Sequence, residues 1–185
     1  TAPAISPHIN AEVNVARSGL EVLLDDVNRF RGARVGVACN HTAVTRDLQH
    51  ILDAIADCGL NLVRVFAPEH GVDALAQDMI TVDDEGDAVK VVSLYGDTEE
   101  SLKPAAELLE DLDVLLFDIQ DIGARYYTYQ ATLGFIMEVA ATTGTKVVVL
   151  DRPNPIDGVS LEGNVVEPGF ESFVSAYPLA NRHGM

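Results

Sequence analysis

Residues 113–150 read DVLLFDIQDIGARYYTYQATLGFIMEVAATTGTKVVVL, and this stretch decides the fold. Asp113–Phe117 is a short run, continuously apolar after its first residue, and Lys146–Leu150 is a second one of the same kind. Between them, Thr128–Thr143 carries Leu133, Ile136, Met137 and Ala140 at helical spacing, with Gly144 as a stop. Two apolar runs separated by one helix predict parallel strands joined through a crossover. The runs do not alternate polar with apolar, so both faces of each strand are expected to be covered.

The same rhythm extends towards the N-terminus. Arg34–Cys39 (RVGVAC), Asn61–Phe66 (NLVRVF) and Lys90–Tyr95 (KVVSLY) read as further strands. Ser18-Gly-Leu-Glu21 is a capping box, and Leu20, Leu23, Leu24 and Val27 follow at helical spacing. Thr45 is placed to cap a helix whose apolar face is Leu48, Ile51, Leu52 and Ile55, with Gly59 at its end. Leu102, Ala105, Ala106, Leu108 and Leu109 predict one more helix. Residues 71–90 are polar and acidic and read as a long loop. Residues 1–17, with two prolines and no periodicity, read as a loose arm. That leaves 18–185 as one α/β domain, a Rossmann-like three-layer sandwich on a mostly parallel sheet.

Composition narrows the function. The 185 residues are 48% hydrophobic, which suffices for a core. Twelve Lys plus Arg face 29 Asp plus Glu, for a net charge of −17. That field repels phosphate backbones and anionic membrane surfaces, so no nucleic-acid partner is expected. No run is apolar and long enough to insert in a membrane, and no signal peptide is visible. Cys39 and Cys58 are two isolated cysteines and read as buried or half-buried thiols. No strand is followed by Gly-x-Gly-x-x-Gly or a phosphate loop, so no nucleotide cofactor is expected. No Gly-x-Ser-x-Gly elbow is present for a serine hydrolase. Neither compartment nor oligomeric state has a signature in the sequence.

In an open parallel sheet, ligands bind beyond the carboxyl ends of the strands. The residues just past those ends are Asn40-His-Thr42, Pro68-Glu69-His70-Gly71, Asp118 with Asp121 and Arg125, and Asp151-Arg152-Pro-Asn154-Pro. Four strand ends thus deliver Asn, Glu, His, Asp and Arg to one rim. Glu69 sits between a rigid Pro and a Gly, which suits a fixed functional loop. One of Asp118 and Asp121 is expected to be structural, either capping or bracing Arg125 as a buried pair. Arg125 with Tyr126, Tyr127 and Tyr129 reads either as packing or as a sugar platform with a cation for a substrate carboxylate. The DRPNP stretch is a functional rim or simply a stiff turn, and His183 is a ligand or a tail residue. A metal site built from Glu69, His70, Asp118, Asp121 and His183 is conceivable, but no spacing demands it, and none is assigned.

Pro68-Glu-His-Gly71, the block FDIQDIGARYYTY at 117–129, Asp151-Arg-Pro-Asn-Pro-Ile156, Glu162-Gly163 and Arg182-His-Gly-Met185 occur in this order after Gly19-Leu-Glu-Val-Leu-Leu24. Together they resemble the exo-β-N-acetylmuramidase family, also known as DUF1343. The resemblance runs from Gly19 onward and departs at Asn40-His-Thr-Ala43, at Val72–Asp78 and at Asn164. It implies a Rossmann-like N-terminal domain, a smaller C-terminal domain and a cleft between them. The chain stops where that second domain is expected to begin, so it reads as the N-terminal part of a longer protein.

The implied activity is release of N-acetylmuramic acid from the non-reducing end of peptidoglycan fragments. Glu69 matches the family's proposed catalytic glutamate, and Asp118, Asp121 and Glu162 are candidates for a second carboxylate. Asp118 and Glu162 are taken as catalytic beside Glu69. Asn40, His70, Asp121, Arg125, Tyr127, Asp151, Arg152, Asn154 and His183 are taken as substrate-binding. A non-catalytic binding module for wall fragments and a metal-dependent hydrolase are the alternatives.

Overall fold

The structure is a computed structural model that describes residues 16–68, 89–94 and 102–184. Five parallel strands form its sheet: β1 (Arg34–Cys39), β2 (Asn61–Ala67), β3 (Lys90–Ser93), β4 (Val114–Asp118) and β5 (Lys146–Val149). Their spatial order is β3-β2-β1-β4-β5. The chain therefore leaves the centre in one direction and later returns to build the other half. Right-handed crossovers running in opposite directions place their helices on opposite faces, which explains the layering. Helix α2 (Ile51–Asp57) connects β1 to β2, and α3 (Tyr129–Thr143) connects β4 to β5.

Strand residues alternate between the two faces, and the core divides accordingly. Val35, Val37, Cys39, Val65, Val114 and Leu116 pack with Leu20 and Leu23 of α1 (Gly19–Asp25) and with Ile51, Leu52 and Ile55 of α2. Ala38, Phe66, Leu115 and Phe117 pack with Ile136 and Ala140 of α3. The three-layer α/β expectation holds. Helix α1 opens with the anticipated capping box between Ser18 and Glu21. Its first residue bonds the segment just beyond β5, Gly19 N donating to the Asp151 carbonyl at 2.6 Å. A Cβ at Gly19 would stand 2.4 Å from the backbone there, so only glycine allows this approach.

Three expectations are corrected. The segment carrying Leu102–Leu109 holds only a three-residue 3₁₀ turn, Ala106–Leu108. Pro104 lacks an N–H and disfavours helical geometry just before itself, which outweighs the apolar spacing. Helix α2 starts at Ile51 rather than after Thr45, and its cap is the His50 ring, which accepts from Leu52 N at 3.4 Å. Thr45 instead closes a tight loop, its hydroxyl accepting from Gln49 N, and Leu48 is 79% exposed with a positive φ of 63°. Met137 is half-exposed, and Ala131 and Thr132 take its place on the buried face of α3. Of the expected loop at 71–90, residues 71–88 lie outside the described residues, as does Tyr95, and Lys90 begins β3.

Beyond β5 the chain runs mostly without regular structure. Two short strands, β6 (Leu161–Glu162) and β7 (Arg182–His183), pair antiparallel. β7 folds back onto the segment after β4, with an isolated bridge between Ala124 and Arg182. Phe135 of α3 lies between Phe173 and Tyr177, with ring centroids 6.2 and 6.1 Å away, and holds the strap against the domain. Both cysteines are free thiols, Cys39 buried and Cys58 partly so. Burial, with Asp118 adding to it, pushes the Cys39 thiol up, which makes it unreactive.

Candidate functional site

The order of the strands reverses between β1 and β4, and the carboxyl ends of these two strands define the crevice where ligands bind in such sheets. Cys39 and Asp118 are register partners at that edge. Asn40 follows directly and is buried; its Oδ1 accepts from Thr42 N and Oγ1 at 2.9 and 2.6 Å. Thr42 Oγ1 in turn accepts from Gln120 N at 3.0 Å, tying the loop after β1 to the loop after β4. His50 Nε2 bonds the Asn40 carbonyl at 3.0 Å. Asn40 thus shapes the crevice floor.

Asp118 is fully buried. Arg152 Nε and Nη2 donate to its two oxygens at 2.5 and 2.9 Å, and Arg152 Nη1 donates to the Val44 carbonyl at 3.0 Å. Burial pushes the Asp118 carboxyl above its ordinary value, while the Arg152 guanidinium pulls it down. The expected buried brace exists, but the cation is Arg152 and not Arg125. Arg125 Nη1 donates to the Asn164 and Leu179 carbonyls at 3.1 and 2.7 Å, so it staples the C-terminal strap. Glu162 is mostly exposed on β6 and paired with Arg182. Asp118 and Glu162 therefore do not meet at one surface.

A pocket of about 160 Å³ opens beside the crevice, at the ends of β4 and β5 and the first turn of α3. Asp121, Asp151, Arg152 and Asn154 supply its charged and amide groups, and Phe117, Ile119, Tyr129 and Leu133 supply apolar walls. Four of the anticipated residues therefore converge. Tyr127 is half-exposed and stands outside this lining, 6.2 Å ring to ring from Tyr129. Gln130 also lines the pocket, and its Oε1 is buried without a partner among the described residues. Sequence reasoning placed Thr42 on the rim without a role, and it missed Gln130, Leu133 and His50. The first two sit on a helix whose apolar spacing reads as core, and His is an uncommon helix cap, so none stood out. Glu69 and His70 lie outside the described residues.

His183 is buried behind the pocket rim and not a loose tail residue. Its Nε2 lies 3.2 Å from Asp121 Oδ1, and Gly123 N donates to the same oxygen at 2.5 Å. The His183 carbonyl accepts from Asn154 Nδ2 at 3.1 Å. Gly123 makes this convergence possible. It has a φ of 77°, and a Cβ there would lie 2.4 Å from Ile156 Cδ1 and 2.7 Å from the His183 carbonyl oxygen. Gly123→Ala adds left-handed strain to a steric clash and is expected to lower folding stability by roughly 2–4 kcal/mol. Urea unfolding checks this; a change below about 1 kcal/mol would mean β7 is not seated as described.

Comparison with known proteins follows the same outline. The family described as "Exo-beta-N-acetylmuramidase NamZ, N-terminal" matches residues 35–185. The peptidoglycan beta-N-acetylmuramidase NamZ of Bacillus subtilis (strain 168) is 40% identical over 193 aligned positions, which cover 100% of this chain and 46% of that protein. The chain thus spans about half the length of this curated relative. A crystal structure of a DUF1343 family protein from Bacteroides fragilis superposes with a TM-score of 0.79 at 42% identity, covering 91% of this chain and 43% of the other. A second B. fragilis protein of that family gives 0.74 at 30% identity, with the same coverage.

Proposed function

Because this chain belongs to the exo-β-N-acetylmuramidase NamZ family, we propose that it forms the Rossmann-like half of a glycosidase that releases N-acetylmuramic acid from the non-reducing end of peptidoglycan fragments. One observation carries the reading. Two separate blocks, 117–129 and 151–156, bring Asp121, Asp151, Arg152 and Asn154 to one small pocket at the carboxyl edge of the sheet. Carboxylates and amides hydrogen-bond sugar hydroxyls, and the Tyr129 and Leu133 walls suit the apolar face of a pyranose.

Glu69 acts as the general acid that protonates the glycosidic oxygen. It follows Ala67, the last residue of β2, by two positions. Arg152 lines the pocket and gives three of its five N–H groups to Asp118 and Val44; we assign the other two to the lactyl carboxylate that distinguishes muramic acid from glucosamine. Arg125 spends its guanidinium on backbone carbonyls and is the poorer candidate for that role. Fragment binding needs no cofactor in this scheme.

The test is turnover by the natural gene product of two chromogenic β-glycosides, of N-acetylmuramic acid and of N-acetylglucosamine. Turnover of the first is expected to exceed the second at least about tenfold, since one charge-assisted pair is worth roughly 1.5–3 kcal/mol. Calorimetric binding with hydrolysis at background would make it a wall-fragment binding module. Loss of turnover on chelation would make it a metal-dependent hydrolase.

A further inference from the structure

We propose that Asp121 is the second carboxylate of the reaction and that His183 is its positioning residue, an assignment that rests on the glycosidase reading above. Of the three candidates, Asp118 has no exposed surface and both its oxygens are held by Arg152, and Glu162 sits on the exposed β6 strand. Asp121 alone combines a place in the pocket lining with a partly exposed side chain, 30% of it accessible.

Its two oxygens differ in a telling way. Oδ1 takes two donors, Gly123 N at 2.5 Å and His183 Nε2 at 3.2 Å. Oδ2 has no partner among the described residues. A carboxylate gripped on one oxygen has a fixed plane and a fixed direction for the other. That is the preorganisation needed by a group that meets developing positive charge.

The imidazole is committed to this one bond. Only 6% of the His183 side chain is accessible, and its Nδ1 is buried with no partner among the described residues. Burying a ring nitrogen unsatisfied costs about 1–3 kcal/mol, so such atoms are uncommon without a functional reason. A histidine kept for packing alone is replaceable by an apolar residue that avoids that cost. The backbone also supports the ring, because His183 N donates to the Gly123 carbonyl at 2.8 Å and the β6–β7 pairing holds the strand.

Chemically, the glycosidic C–O bond breaks with its electron pair leaving on oxygen, which takes the proton from Glu69. Positive charge is left on the anomeric carbon and ring oxygen. The free Asp121 oxygen stabilises that charge. One water is consumed: its hydroxyl ends on the anomeric carbon, and its proton restores the acid. Asp121 forms and breaks no bond in this assignment.

The experiment is steady-state kinetics of the natural gene product on the muramic acid glycoside, with melting temperatures taken in parallel. Asp121→Asn is expected to lower kcat about 10²–10³-fold with KM little changed. His183→Ala is expected to lower kcat at least about tenfold, and His183→Gln, which still offers an N–H to Oδ1, to restore most of it. Formate added to Asp121→Ala is expected to recover part of the activity, which a misfolded variant would not do. An Asp121→Asn enzyme within threefold of wild type, or one impaired only in KM, overturns the assignment while leaving the glycosidase reading standing. His183→Ala that melts lower yet keeps its kcat overturns the positioning role. An inactive wild type takes down both readings together.

Discussion

Replacing Arg152 with Ala is expected to cost roughly 3–5 kcal/mol of folding stability, the penalty for leaving a buried charge without its partner. For a domain of this size that is a fall in Tm of roughly 6–20 °C. Asp118 has no surface exposed to solvent, so no water replaces the two guanidinium bonds. Removing Arg152 also frees the Val44 carbonyl and unties the 151–156 rim from the loop after β1. The effect depends on pH in a definite direction. Burial already pushes the Asp118 carboxyl above its ordinary value, and without the guanidinium nothing comparable opposes that push. A carboxyl with a raised folded-state pKa adds stability below the unfolded-state value of about 4 and loses it as the pH climbs through the folded-state value. The deficit of the variant should therefore be larger at pH 7 than near pH 4.5. Paired Asp118→Leu and Arg152→Met changes should recover most of the loss, because the cost lies in the unpaired charge. Chemical denaturation at the two pH values is the measurement. A loss below about 1 kcal/mol at pH 7 would show that the pair contributes no more than a surface ion pair.

The sheet was legible because its strands announce themselves twice. RVGVAC and DVLLF are apolar after their first residue, and each is followed by a polar residue, Asn40 or Asp118, placed at the crevice. The helices between β1 and β2 and between β4 and β5 made parallel pairing the expected arrangement. Local competition hid the rest. Apolar spacing around Leu108 promised a helix that Pro104 forbids, and Thr45 looks like a cap while Val44 and His50 form a bridge that delays α2. The first error comes from a proline's geometry and the second from short-range hydrogen bonding, neither of which a periodicity count registers.

The rim was readable as a set and not as a set of partners. The strand-end rule names Asp118, Asp121, Arg125, Asp151, Arg152 and Asn154 together. Which cation meets which carboxylate depends on alternation at the end of β4. Leu116 packs with the α1 and α2 layer, so Asp118, two residues on, points to that same side, where Arg152 and His50 lie. Arg125, beyond Gly123, instead follows the strap at Asn164 and Leu179. His183 lies 62 positions from Asp121 in the chain, and no local pattern links them. Among the pocket walls, Leu133 carries no signal distinguishable from core, and Tyr129 reads equally as packing or as a sugar platform.

Glu69→Gln in the natural gene product should reduce kcat on a sugar-linked muramic acid substrate by about 10²–10⁴-fold, the usual worth of a general acid. The amide keeps the size and the hydrogen-bonding reach of the carboxyl but has no proton to give. The loss should depend on the leaving group. A sugar alkoxide is a poor leaving group and needs the proton as the bond breaks, so its hydrolysis should suffer most. A nitrophenolate leaves readily without protonation, so the same variant should lose far less on that glycoside. This contrast separates an acid from a residue that only binds: a binding residue would raise KM similarly for both substrates. Turnover of the sugar-linked substrate within tenfold of wild type, or equal losses on both leaving groups, would assign the proton transfer to another residue.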